Sequence, residues 1–131
     1  TDHAPHAAFE KDREFERAPF GMVGLETSLG LMITHFVKTG AIGWDKLVEL
    51  MAVNPRAIVR ADRVALEPGS VADLTVIDPD AEWTVDAGEF CSKAKNTPFT
   101  GWKLTGRATD VYVAGYATME DGVVVAPAVE Q

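Results

Sequence analysis

The sequence is short of cysteine, of basic residues and of long apolar runs, and each shortage removes a class of function. One cysteine, Cys91, among 131 residues excludes an internal disulfide and suits a reducing compartment. With no catalytic setting around it in the sequence, that thiol is expected to be buried and structural. Twelve Lys and Arg stand against twenty Asp and Glu, a formal net charge of −8. Such a surface repels phosphate backbones and anionic lipid headgroups, so neither nucleic acid nor a membrane surface is expected as a partner. No apolar stretch approaches the ~18 residues of a membrane span, and no basic segment leads into an apolar one at the start, so nothing signals secretion. The phosphate-loop, dinucleotide, HExxH and GxSxG signatures are absent as well.

What remains is ordinary globular composition, 47% hydrophobic and 24% charged. A chain of this length can bury roughly two-thirds of its unfolded surface and so build a core without disulfides, as one average domain or two small pieces. Its character changes near residue 60. Residues 1–24 read as a long loop, interrupted by Pro5, Pro19, Gly21 and Gly24, with one short charged turn or helix between Phe9 and Arg17. Three phenylalanines, Phe9, Phe15 and Phe20, favour an ordered functional loop over disorder. From Leu25 to about Lys38, apolar residues at three- and four-residue steps predict a helix stopped by Gly40. A second helix is expected from about Asp45 to Val53, with Asn54-Pro55 ending or bending it, and a third turn over Pro55–Val59. Past residue 60, short β-branched runs predict strands at 72–78, 82–85, 108–114 and 116–119, with Asp121-Gly122 as a hairpin turn and a loop over 86–102.

The chemistry-bearing residues cluster at the start, in Thr1-Asp2-His3-Ala4-Pro5-His6. The absence of an initiator Met before them points to processing or to a domain whose start lies further upstream. Histidine and carboxylate are the ligand types of zinc and of general acid–base sites, but DHxxH alone reads as well as a capping Asp with surface histidines. Asp2, His3 and His6 cannot by themselves enclose a tetrahedral ion, so a metal would need ligands from elsewhere. His35, on the predicted helix, is expected to be structural. Trp44, Trp83 and Trp102 are expected to be core or packing residues and not a stacking platform.

Thr1 to His6 (TDHAPH), followed by Ala18 to Thr27 (APFGMVGLET), resembles the dihydroorotases of the cyclic amidohydrolases. The resemblance continues through Val53-Asn54-Pro55-Arg56, Glu67 to Leu74 (EPGSVADL), Asn96 to Trp102 (NTPFTGW) and Val113-Ala114-Gly115, in order, over nearly the whole chain. The ADLTVID run is shared with the wider superfamily; TDHAPH with PFGMVGLET is narrower.

The resemblance implies an α/β chain: the C-terminal part of a TIM (β/α)₈ barrel in residues 1–60, comprising the end of strand eight, the active-site loop and the closing helices. Residues 61–131 would be the C-terminal part of a small β-sandwich domain. A whole barrel needs ~250 residues. The implied reaction is zinc-dependent, reversible ring opening of (S)-dihydroorotate to N-carbamoyl-L-aspartate in pyrimidine biosynthesis, with one or two zinc ions acidifying water and polarising the ring carbonyl. Asp2 matches the family's aspartate that contacts the metal, takes the water's proton and returns it to the leaving nitrogen. His6 matches a residue contacting the substrate carboxylate, and the Phe20-Gly21 backbone matches a segment contacting the ring. His3 carries no ligand role, and Glu10 to Arg17 is expected to be a solvated face. The family's remaining metal ligands, an HxH pair, two further histidines and a lysine that is often carboxylated, have no counterpart in these residues. Alone, the chain is expected neither to bind zinc tightly nor to catalyse. The implied partners are the small-molecule substrate, the N-terminal part of the same enzyme, a second copy as a homodimer, and aspartate transcarbamoylase; the implied location is cytoplasmic. Two alternatives stay open: a hydantoinase- or allantoinase-like amidohydrolase, and a non-catalytic dihydroorotase-like subunit that scaffolds aspartate transcarbamoylase.

Overall fold

The apolar periodicity at 25–38 becomes a single helix wound in two ways. The structure, a computed structural model, describes residues 1–62 and 65–125. In it α2 spans Leu25–Met32 and continues as a π-helical turn over Ile33–Val37, after which Gly40, at φ +76°, ends the run. A short α1, Ala8–Lys11, precedes it in the otherwise irregular first segment. The next helix starts at Trp44 with Gly43 as its N-cap and runs as α3 (Trp44–Val48), a π turn (Glu49–Val53) and α4 (Asn54–Ile58). Asn54-Pro55 therefore does not end it. Proline lacks an N–H and crowds the carbonyl one turn back, and the wider π turn just before it accommodates both while the chain stays helical.

The β-rich half forms one antiparallel meander, in the order β1-β2-β3-β4. The strands expected at 72–78 and 82–85 are one strand, β1, Leu74–Thr84. Pro79, between the two expected runs, lies within a bulge between Asp78 and Glu82, where no ladder donor is needed. There Asp78 accepts hydrogen bonds from the amides of Asp80 and Ala81. β2, Lys103–Val113, begins earlier than expected because residues 103–107 pair with 78–84. Tight turns at Ala114-Gly115 (φ +51° and +84°) and Asp121-Gly122 (φ +49° and +77°) lead into β3 (Tyr116–Glu120) and β4 (Val123–Val124), the paired positive φ of hairpin turns. The expected β-domain residues 63, 64 and 126–131 lie outside the described residues.

The core forms where α2 and its π turn lie on β1 and β2, around Val23, Ile33, Leu47, Val85 and Leu104. Glycines set how closely the helix approaches. A Cβ on Gly106 would lie 2.5 Å from Ile33 Cδ1, and one on Gly30 would lie 2.9 Å from Trp83. The Thr34 hydroxyl joins the layers, accepting from the Thr105 amide at 2.8 Å and donating to the Thr105 carbonyl at 3.2 Å. Trp83 packs as expected, its indole N–H donating to the Gly106 carbonyl with Arg107 over its ring. Trp44 and Trp102 are 41% and 46% exposed and lie outside the core. Trp102 rests edge-on against Phe99 and His35, in keeping with a structural His35. Cys91 is exposed, contrary to the buried thiol expected: it follows the one-turn 3₁₀ segment Ala87–Glu89 in a loop that runs over the surface. No helix among the described residues is long and apolar enough to cross a membrane.

Candidate active-site loop

The two narrow motifs, more than a dozen residues apart in sequence, lie side by side. His3 and Met22 form an isolated parallel bridge, and the Ala4 amide donates to the Met22 carbonyl at 2.9 Å. Beyond this contact Gly21 turns at φ +104°, so close to the first segment that a Cβ there would lie 2.4 Å from the Ala4 Cβ. Only glycine meets both demands. The Phe20-Gly21 backbone, which the resemblance sets against a substrate ring, thus also packs closely on Ala4.

Each histidine is committed. His3 Nδ1 accepts from the amides of Gly24 and Leu25 at 3.1 and 3.4 Å, capping α2, whose own N-cap glycine has no side chain to do so. His6 Nε2 lies 2.7 Å from the Phe20 carbonyl, so this nitrogen carries the proton and donates. Nδ1 faces Glu10 at 3.9 Å. Phe20, whose side chain is 91% exposed, thus meets His6 through its backbone.

Of the run expected to be a solvated face, residues 12–17 are exposed, while Glu10 and Lys11 are half-buried and bond to the backbone of the loop. The Ala7 amide donates to Glu10 Oε2 at 2.9 Å, holding the start of α1. Lys11 Nζ donates to the carbonyls of Pro19 and Gly21 at 2.8 and 3.2 Å. Asn96, from the 86–102 loop, contacts both motifs. Neither Lys11 nor Asn96 was identified from sequence. Their partners are backbone groups 8 to 92 residues away, which leave no local pattern; the Asn-Thr-Pro string was the sole signal.

Asp2 stands apart from this network. It is exposed, adopts φ +48°, an uncommon backbone for a non-glycine residue that is found preferentially at functional sites, and lines an open cavity of about 600 Å³ together with Gly21, Met22 and Asn96. A carboxylate so placed can serve as one ligand of a metal ion such as zinc. With His3 Nδ1 and His6 Nε2 engaged, no group of three or more His, Cys, Asp or Glu among the described residues could hold a metal ion. The residues therefore fit one ligand of a site completed by others.

No family model matches the chain. It is 54% identical over 115 residues to the dihydroorotase of Geobacter metallireducens, covering 88% of this chain and 27% of that protein. It is 50% identical over 112 residues to that of Chlorobaculum tepidum, covering 86% and 26%. Among solved structures it resembles an L-hydantoinase (dihydropyrimidinase) from Arthrobacter aurescens, with a TM-score of 0.77 and 36% identity over 86% of this chain and 25% of that one. The resemblance seen in TDHAPH and PFGMVGLET thus extends along most of the sequence, and this chain is a relative of the dihydroorotases over a stretch spanning about a quarter of their length.

Proposed function

We propose that residues 1–60 form the C-terminal end of the barrel of a zinc-dependent dihydroorotase, with its active-site loop, and that residues 61–131 form its share of a small β-sandwich domain. The enzyme would interconvert dihydroorotate and N-carbamoyl-aspartate in pyrimidine synthesis, in the cytoplasm. The observation that carries this reading is the convergence of the two motifs, which sets Asp2 and Gly21 on one cavity and His6 against Phe20.

Asp2 would be one metal ligand, the others coming from the remaining three-quarters of a full-length relative. Bound zinc would acidify a water molecule and polarise the ring amide carbonyl. Asp2 would accept the proton of that water and deliver it to the ring nitrogen as the C–N bond breaks, a cycle that a single carboxylate can complete without moving. His6 would present its ring to the substrate carboxylate. Because Nε2 already donates to Phe20, that contact needs either a rotated ring or a proton on Nδ1. The Gly21 carbonyl already accepts from Lys11 and Asn96, which leaves its amide N–H as the group to offer the ring.

The test is turnover by the full-length zinc-loaded enzyme that contains these residues. It should open dihydroorotate, lose that activity on chelation of zinc, and bind dihydroorotate more weakly after His6→Ala. The likeness to the L-hydantoinase structure supports a second reading, and a preference for hydantoins over dihydroorotate, unaffected by His6→Ala, would establish it. Absence of turnover with stable binding to aspartate transcarbamoylase would instead indicate a non-catalytic subunit.

A further inference from the structure

Asn96 lies in a loop that is itself secured. At its ends the Val85 amide donates to the Trp102 carbonyl and the Gly101 amide to the Val85 carbonyl; in its middle the Ser92 amide donates to Glu26 of α2. From this support the Asn96 side chain reaches both motifs. Its Oδ1 accepts from the His6 amide at 3.1 Å, and its Nδ2 donates to the carbonyls of Ala4 at 3.0 Å and Gly21 at 3.3 Å. Its own carbonyl accepts from the Val23 amide at 3.0 Å. The orientation of the amide follows from these partners. Flipped, its oxygen would face two carbonyls and its NH₂ an N–H, with every contact repulsive. One side chain thus sets the spacing between the segment carrying Asp2 and His6 and the segment carrying Phe20 and Gly21.

We infer that Asn96 is a positioning residue for substrate binding, acting through the backbone of His6 and Gly21; this rests on the dihydroorotase reading. Asparagine suits the task because it alone, with glutamine, pairs an acceptor with two donors on a rigid plane, and its single methylene leaves less freedom than glutamine's two. Asp2 makes none of these bonds, so binding should suffer more than the chemical step.

In the full-length enzyme, Asn96→Ala should raise KM for dihydroorotate about tenfold, the effect of one lost hydrogen bond to substrate, with kcat within about threefold of wild type. Because Asn96 acts through His6, the KM of the His6→Ala/Asn96→Ala double variant should fall well short of the product of the two single effects. If Asn96→Ala yields no folded enzyme, Asn96→Ser must show the same split. An unchanged KM with a lowered unfolding temperature would reduce Asn96 to a structural residue and overturn the inference, as would independent, multiplicative effects in the double variant. A wild-type enzyme without dihydroorotase activity would instead overturn the underlying reading, and this inference with it.

Discussion

At the scale of single residues, the site depends on close approaches that sequence can only hint at. Gly21 reads locally only as an interruption of the loop, and its place beside a substrate ring is what the resemblance implies; its close neighbour in the fold is Ala4. That the neighbour is Ala4 could not be read, since it follows from the parallel contact of two segments. Gly21→Ala should therefore strain the backbone at φ +104° and push on Ala4, destabilising the full-length enzyme by about 1–3 kcal/mol and raising KM. Denaturant titration with steady-state kinetics measures both; unchanged stability would refute the packing described. Asn96 and Lys11 were illegible for the same reason, as their polar groups serve carbonyls and amides that only the fold brings within reach. Cys91 misled in the opposite direction: a small apolar side chain suggests burial, but its loop leaves it at the surface.

At the scale of elements, periodicity located the helices and most of the strand positions, and the errors occurred where a single residue was read as punctuation. Pro55 and Pro79 both looked like boundaries, and both are absorbed, one by a π turn and one by a bulge. Local sequence shows the missing donor but not whether a partner required it. The tie between α2 and the 86–102 loop allows a direct test. Burial raises the pKa of the Glu26 carboxyl, but hydrogen bonding, with the Ser92 amide donating to Oε1 at 2.9 Å, and the nearby His3 outweigh it, and the net shift is downward from the ordinary 4.5. A carboxylate with a depressed folded pKa contributes stability that is complete above its unfolded value and is lost as pH falls through the folded one. The thermal midpoint of wild type should therefore fall more steeply with acidification below 4.5 than that of Glu26→Gln. Parallel curves would show that the Ser92 contact contributes nothing to stability.

At the scale of the whole molecule, apolar surface remains uncovered. Leu25, Val48, Val53, Ile58 and Val59 are all more than half exposed, and Val48, Ala52, Val53 and Ala57 line an open groove against Leu66 and Leu74 of about 660 Å³. Exposed apolar area on this scale drives association. Residues 1–131 prepared alone should self-associate as concentration rises in size-exclusion chromatography, and a monodisperse, cooperatively unfolding monomer would contradict that. The proposed function puts the proton-transferring carboxylate of a larger enzyme on this loop. Asparagine tolerates the left-handed backbone of Asp2, so Asp2→Asn keeps that backbone while removing the carboxylate that would both bind the metal and move the proton. The deciding measurement is kcat for dihydroorotate ring opening by the full-length zinc-loaded enzyme, wild type against Asp2→Asn. The variant should lose about 10²–10⁴-fold in kcat with an unchanged fold; a kcat within a few-fold of wild type would rule out Asp2 as the proton carrier.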